Sequence, residues 1–183
     1  MGCKVAFAPL GEIASLESGG TPKKSEPSYW GGDVPWISAK TLVGDVVSSS
    51  NLTITDSGLA AGSRLAPRGS LLLLTRGSGL FNRIPLAMVG RDVAYNQDIK
   101  CIQSKRSDIS PAYLFFALKA LESQIAAMLE TTGIGAGKLA TDRLMKLPVP
   151  ILEEMSRTKV EGFFSDLTRK LEINNRINGY LAA

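Results

Sequence analysis

The sequence of 183 residues contains no histidine and only two cysteines. Without histidine, the serine–histidine and cysteine–histidine nucleophile systems, histidine general bases and nearly every zinc arrangement are excluded. Cys3 and Cys101 lie too far apart in sequence to suggest a disulfide framework or a structural zinc site. No paired-carboxylate pattern is evident either. We therefore expect no catalytic residue, metal or cofactor in this chain, and a small enzyme is the less favoured alternative.

Long apolar runs are also lacking. No stretch approaches the roughly 18 apolar residues of a membrane span, and Met1 to Leu10 lacks the apolar region of a secretory signal. Hydrophobic residues make up 44% and charged residues 21% of the chain, as is typical of a folded globular protein. These features predict a cytoplasmic protein without a membrane-spanning segment.

The net charge of +4 is unevenly distributed along the chain. Residues 151–183 contain five basic and five acidic residues, so the positive excess lies in residues 1–150. Ala60 to Arg106 contains eight cations, six of them arginine, against only Asp92 and Asp98. Such an excess indicates a surface for nucleic acid or another acidic partner. An ordinary solvated surface accounts for the same excess.

Apolar residues near the C-terminus recur at the spacing of a helix that packs against another helix. Steps of four and three separate the members of this seam: Val160, Phe164, Leu167, Leu171, Asn174, Asn178 and Leu181. A second stripe widens the apolar face: Phe163, Ile173, Ile177 and Tyr180. A helix over Leu152–Leu181 would be roughly 45 Å long, which exceeds what a small domain covers. We expect the seam to need a partner rather than to fold back, because polar seam residues such as Asn174 often set register and partner number.

The rest of the chain predicts strands followed by helices. Leu71–Leu74 is a short leucine run between turn residues and predicts a fully buried strand. Val34–Ser38 predicts another strand, which we place near a sheet edge because Pro35 lacks a backbone N–H. Leu147–Ile151 is expected to be extended because of its prolines. The order predicts an α+β fold, with a globular mixed-sheet domain over residues 1–150 and a long helix over residues 151–183 that forms an intermolecular coiled coil.

One further helix is signalled by its start. Ser110 fits the N-cap and Pro111 the first helical position. Apolar residues at steps of four and three from Leu114 to Met128 then predict a single helix that ends before Gly133.

The segment Thr75–Arg83 follows the leucine-rich strand, and its first part, Thr75–Gly79, predicts a flexible loop. It carries residue types that contact DNA bases or phosphates: Arg76, Ser78, Asn82 and Arg83. An ordinary surface loop is the alternative. Phe81 is expected to pack in the core rather than to act as a wedge near DNA.

A second flexible loop is predicted at Thr132–Lys138. It resembles a phosphate-binding loop but lacks the required spacing, since Thr132 and Leu139 stand where glycine and serine or threonine are needed. Lys138 could still reach a phosphate. Asn96 and Gln97 could present amides to adenine, but we favour a role in holding neighbouring backbone. The aromatic residues that could stack on bases are instead expected in or near the core: Tyr29, Trp30 and Trp36.

Several segments, taken in order, resemble the specificity subunit of type I restriction–modification systems. The matching segments are Leu10–Ile13, Gly19–Pro22, Tyr29–Ile37, Gly69–Leu73, Asn96–Gln97, Leu147–Pro150, Leu152–Glu154 and Leu171–Asn178. The ordered set carries the resemblance, since no single segment is specific. Met155 departs from the glutamine that the family usually has there.

The resemblance implies a target recognition domain over residues 1–150 that reads one half of a split site in double-stranded DNA. It also implies that the helix over residues 151–183 pairs with a second such helix and sets the spacing between two recognition domains. The subunit itself does no chemistry in this family. It docks DNA adenine methyltransferase subunits, which bring S-adenosylmethionine, and restriction subunits in the full complex.

Family members usually carry two recognition domains and two helices, whereas this sequence has one of each. A half-subunit that forms a homodimer, a truncated gene product and an excised part of a longer chain all fit this length. A truncated subunit that pairs through its helix as a decoy, without reading DNA, is the alternative function. Our candidate DNA-binding residues rest on charge and loop position: Lys23, Lys24, Lys40, Arg68, Arg76, Ser78, Asn82, Arg83 and Lys138.

Overall fold

The computed structural model describes residues 5–133 and 135–181. Within the C-terminal helix, six side chains of the two predicted helix stripes are not described: Phe164, Leu167, Leu171, Asn178, Tyr180 and Leu181.

The strands are β1 (Val5–Pro9), β2 (Ala14–Ser18), β3 (Trp30–Ile37), β4 (Val46–Val47), β5 (Thr53–Ile54), β6 (Arg64–Ala66), β7 (Leu71–Leu74), β8 (Arg76–Gly77), β9 (Leu86–Val89), β10 (Val93–Tyr95), β11 (Ile99–Ser104), β12 (Glu130–Thr131), β13 (Gly137–Lys138) and β14 (Pro148–Leu152). The helices are α1 (Leu10–Ile13), α2 (Asp56–Gly62), α3 (Pro111–Ala120), α4 (Glu122–Ala126), α5 (Thr141–Met145) and α6 (Glu154–Leu181), with 3-10 turns at Pro27–Tyr29 and Ser78–Phe81.

The chain divides into two units, and the larger one, Phe7–Val149, is built on three sheets. Their strand orders are β2-β11-β7-β9-β4, β5-β3-β10-β6 and β12-β13-β8. β4 runs parallel to β9 and β3 runs parallel to β10, whereas the other described pairings in these sheets are antiparallel. The predicted mixed-sheet domain is therefore confirmed. β1 and β14 form a further two-stranded sheet.

The core of the larger unit is centred on β7. Each of its four leucines is at most 1% exposed, because β11 and β9 flank the strand within the sheet and α3 packs against β9 and β11. This confirms the predicted buried strand. Trp36 is also buried, as predicted, and meets Trp30 edge-on with 5.4 Å between ring centroids.

The helix after β11 begins as predicted but does not continue as one helix. The Ser110 hydroxyl accepts a hydrogen bond from the Tyr113 amide at 3.0 Å, which satisfies one free donor of the first turn. The helix breaks at Leu121, whose φ and ψ of −94° and 9° lie outside the helical range. The side chain of the following residue, Glu122, accepts a hydrogen bond from the Ile84 amide at 3.1 Å, so the second piece, α4, is tied to a neighbouring segment.

The prediction that Pro35 marks a sheet edge is wrong. β3 lies inside its sheet, between β5 and β10. β10 pairs only with Trp36 and Ile37, beyond the proline, so that side of the sheet requires no N–H from Pro35. On the other side the register shifts between Trp30 and Val34, an irregularity of the kind that accommodates proline in sheets.

The two predicted flexible loops instead contain paired strands. Gly77 lies opposite Gly137, and Arg76 lies opposite Lys138, across β8 and β13. Glycine is favoured at position 77, where φ is 144°, and a Cβ on Gly137 would make a tight contact of 3.1 Å with Leu80. Pairing between distant segments gives the backbone groups of both loops hydrogen-bond partners that local sequence does not reveal.

The second unit consists of Met1–Ala6 with Pro150–Ala183 and contains α6. The helix begins at Glu154, two residues after the predicted start, because Leu152 still belongs to β14. Val160 is half-buried and Asn174 is exposed, as are Ile173 and Ile177 of the second stripe at 45% and 49%. Among the described residues, no helix combines the length and apolarity that crossing a membrane requires.

Candidate nucleic-acid interface

The turn Asn96–Asp98 lies where several strands of the two larger sheets meet. The Asn96 amide donates to the Ile37 carbonyl at the end of β3, at 2.9 Å. The Thr75 amide, just after β7, donates to the Asp98 carbonyl at 2.8 Å. β10 ends before this turn and β11 begins after it. The carboxyl ends of β3, β7 and β10 therefore converge on one end of the sheets, which we call the turn end.

Asn96 holds this turn together, as predicted. Its side chain is only 6% exposed, and its Oδ1 accepts from the Asp98 amide while its Nδ2 donates to Asp98 Oδ2, both at 3.2 Å. Gln97 differs from its neighbour because it is exposed. Its Oε1 accepts a hydrogen bond from the Thr21 hydroxyl at 2.6 Å, which orients the amide at the surface.

Two tryptophans position the loop that carries Lys23 and Lys24. The Trp36 Nε1 donates to the Gly20 carbonyl at 3.1 Å, and the Trp30 Nε1 donates to the Lys23 carbonyl at 3.3 Å. The Gly20 amide in turn donates to the Tyr95 carbonyl at 2.9 Å, which places this loop at the turn end. Both lysine side chains are exposed.

Lys40 lies in a turn that directly follows β3. The Thr41 hydroxyl accepts from the Ser38 amide at 2.9 Å, and the Thr41 amide donates to the Ser38 carbonyl at 3.0 Å. Ser38 follows Ile37, so this exposed lysine also lies at the turn end.

The small sheet β12-β13-β8 adds the remaining cations at this end. The Leu139 amide donates to the Thr75 carbonyl at 2.9 Å, which ties β13 to the residue after β7. Arg76 is exposed, Lys138 is half-buried, and the two lie opposite each other. The 3-10 turn Ser78–Phe81 packs against β13. Ser78 in this turn, and Asn82 and Arg83 just after it, have exposed polar side chains.

Arg68 is the one candidate residue that the structure places elsewhere. It precedes β7, whereas Arg76 follows it, and a four-residue strand spans about 13 Å. The Arg68 amide donates to Asp92 Oδ1 at 2.8 Å, before the start of β10. Arg68 therefore lies at the opposite end of the sheets, beside a shallow pocket of about 440 Å³ that Arg106 and Ser110 also line.

No described carboxylate forms an ion pair with the cations of the turn end. Ion pairs between described residues include Arg64–Glu17, Arg106–Asp108, Lys119–Asp45 and Arg143–Glu130. None includes the six cations of the turn end, which are Lys23, Lys24, Lys40, Arg76, Arg83 and Lys138. Glu130 lies opposite Lys138 in the sheet, but its carboxylate is engaged by Arg143 at 3.2 Å. The surface therefore favours a polyanionic partner.

Three ionisable groups beside this surface are altered by burial. Burial raises the pKa of the Cys101 thiol and of the Tyr95 phenol, so both groups are neutral at physiological pH. Burial lowers the pKa of Lys100, whose Nζ donates to the Ser18 hydroxyl. The neutral Tyr95 and Cys101 side chains therefore add no charge to the surface.

The sequence missed one exposed residue of this surface. Phe81 is 52% exposed, so its predicted place in the core is wrong. The preceding residue, Leu80, takes the buried position at 2% exposure. Adjacent residues of a tight 3-10 turn point in different directions, so only one of the two could be buried.

Comparison with known proteins identifies the family. The type I restriction modification DNA specificity domain matches residues 4–182. The chain is 30% identical over 173 residues to the type I restriction enzyme EcoR124I/EcoR124II specificity subunit of Escherichia coli. This alignment covers 92% of the chain and 43% of the relative. The chain is 27% identical over 172 residues to the MjaIX specificity subunit of Methanocaldococcus jannaschii, covering 91% and 39%. The chain thus spans less than half the length of these relatives.

Solved structures show the same fold. The crystal structure of the type I restriction–modification S subunit from M. genitalium superposes with a TM-score of 0.68 at 14% identity, covering 93% of this chain and 41% of that one. The HsdS subunit from Thermoanaerobacter tengcongensis gives a TM-score of 0.65 at 12% identity, covering 94% and 39%. The resemblance expected from the ordered sequence segments is confirmed, and the chain belongs to the type I restriction modification DNA specificity domain family.

Proposed function

We propose that this chain is a DNA-recognition subunit of a type I restriction–modification complex and reads one half of a split DNA site. The observation that supports this most directly is the group of six cations without carboxylate partners among the described residues at the turn end. Lysine and arginine neutralise phosphates, while the exposed Ser78 and Asn82 beside them can donate to base edges. Gln97 adds a third exposed polar side chain to the same surface.

In this proposal the chain performs no chemistry. It docks DNA adenine methyltransferase subunits, which bind S-adenosylmethionine, and restriction subunits join in the full complex. Family membership supports these partners.

Charge reversal in the assembled complex tests the recognition surface. Arg76→Glu combined with Arg83→Glu is expected to abolish or redirect DNA modification, because both side chains are exposed at the turn end and would repel phosphates. The matched control reverses Arg68 and Arg91, which flank Asp92 at the opposite end of the sheets. Unchanged site choice with the first variant, or equal loss with both, contradicts the proposed surface.

We also propose that α6 pairs with a second copy of this chain, so that a homodimer reads two identical half-sites in opposed orientation. Support comes from the predicted seam and from two apolar side chains of this 28-residue helix. Ile173 is 45% exposed and Ile177 is 49% exposed. A compact domain rarely leaves such residues exposed along one helix without a partner.

Light scattering on variants of the helix tests this pairing. Phe164→Glu combined with Leu171→Glu is expected to yield monomers with a folded domain, because each change places a charge on the seam. The control variant adds the same two charges at exposed positions outside the seam, as Thr158→Glu with Ser165→Glu. A dimer that persists in the seam variant places the interface elsewhere.

A further inference from the structure

Phe81 is an exposed aromatic ring on a fixed backbone. The Asn82 and Arg83 amides both donate to the Gly79 carbonyl, at 3.2 and 3.3 Å, and close the turn. The Ile84 amide donates to Glu122 Oε1 at 3.1 Å and pins the chain just after it. Leu80, 2% exposed, anchors the other side of the turn. The ring is therefore held outward by structure on both sides, and its 52% exposure does not come from a frayed loop.

The surroundings of this ring restrict what can cover it. An exposed aromatic ring gains free energy when a partner removes it from water. The turn packs against β13, which carries Lys138, while Arg76 lies in β8 just before the turn and Arg83 follows the ring by two residues. None of these cations has an ion pair with a described carboxylate. Duplex DNA offers both matching chemistries, since phosphates lie on either side of apolar base faces.

We propose that Phe81 is an apolar wedge that inserts against a base step of the target DNA while the flanking cations hold the adjacent phosphates. This inference rests on the proposed DNA-recognition function. A wedge partly unstacks the step that it enters, and the cost of unstacking depends on the sequence of that step. Phe81 therefore adds a preference for a deformable step, such as a pyrimidine–purine step, beyond any hydrogen-bonded base readout.

The test uses the complex assembled with its methyltransferase subunits and a duplex that contains the modified site. 2-Aminopurine, which pairs with thymine and whose fluorescence rises on unstacking, replaces each adenine of the duplex in turn. With wild-type protein at saturation, we expect each half-site to show one bright position besides the modified adenine, which methyltransferases extrude. Phe81→Ala should remove the first signal and keep the second. It should also weaken binding on the order of 10-fold, as loss of an aromatic–base contact does.

Two variants and one altered duplex sharpen the result. Phe81→Leu keeps an apolar wedge and should retain most of the signal. Phe7→Ala removes another exposed ring, 66% exposed on β1, and should change neither fluorescence nor affinity. A mismatch at the bright step, which lowers the cost of unstacking, should restore most of the binding lost in Phe81→Ala.

Two sets of outcomes separate this inference from the function on which it rests. If Phe81→Ala binds and unstacks DNA as wild type does while Arg76→Glu with Arg83→Glu loses binding, the wedge is overturned and the recognition surface stands. If the wild-type complex neither binds nor modifies a specific site, the proposed function itself fails and the wedge fails with it.

Discussion

Arg76 and Lys138 face each other across β8 and β13, and replacing both by alanine removes two charges from one spot of the turn end. Each phosphate contact contributes roughly 0.9 to the slope of log affinity against log salt concentration. If both residues neutralise phosphates, the slope should become shallower by about 1.8. Between 50 and 200 mM salt, the wild-type complex should therefore lose about 12-fold more affinity than the variant.

The assay is a salt titration of DNA binding by the assembled complex, using fluorescence anisotropy at four or more salt concentrations. The variant should remain folded, because changes at such surface positions usually alter the free energy of unfolding by no more than about 0.5 kcal/mol. Arg68→Ala with Arg91→Ala is the matched control, since it removes two charges from the opposite end of the sheets. An unchanged slope in the first variant, or an equal change in the control, would refute the placement of the DNA.

Three further predictions concern the fold. Ser110→Ala should lower the free energy of unfolding by about 1 kcal/mol in urea denaturation. Ser110→Asp should retain most of this stability, because aspartate also caps helices. An equal loss of stability in both variants would contradict the capping role. Leu73→Ala should lower the free energy of unfolding by about 2–5 kcal/mol, because Leu73 is 1% exposed. Leu65→Ala, at an exposed position, is the control. An equally small loss in both variants would argue against a core centred on β7. Cys101 is buried, and burial raises the pKa of its thiol. In a Cys3→Ser variant, where Cys101 is the remaining thiol, alkylation of Cys101 at pH 8 should therefore require unfolding. Rapid labelling of the native protein would contradict this.

The parts of the fold that were predictable depend on local chemistry. Four leucines between turn residues predict a buried strand because the run is fully apolar and too short for a helix, and Leu71–Leu74 forms such a strand. Ser110 followed by Pro111 predicts a helix start because both residue types satisfy or avoid the free amides of a first turn. Local signals of this kind depend little on which distant segments meet.

The parts that were missed depend on distant pairing. Arg76–Gly77 and Gly137–Lys138 are glycine-containing segments about sixty residues apart, and each alone has the composition of a flexible loop. β8 becomes a strand through its pairing with β13, and β13 pairs with both β8 and β12. The edge position inferred for Pro35 failed for a related reason, since the short reach of β10 leaves its missing N–H without consequence.

The candidate site was predicted as a set of residue types but not as an arrangement. Charge and loop position selected cations that the structure gathers at the turn end, yet the same criteria also selected Arg68 at the other end of β7. Sequence order places Arg68 before the leucine strand and Arg76 after it. It does not show at which end of the sheets the cations of distant segments gather, because that depends on how those segments pair. Phe81 was assigned to the core because hydrophobicity does not tell which of two adjacent apolar residues faces outward.

The most direct test of the central claim is mapping of methylated bases in cells that express this chain together with its methyltransferase subunit. If the chain reads half-sites as a homodimer, the modified motif will be split, with two identical halves in inverted orientation. The absence of any modified motif, in cells where both proteins are present and associated, would contradict DNA recognition by this chain and favour a decoy that pairs through its helix.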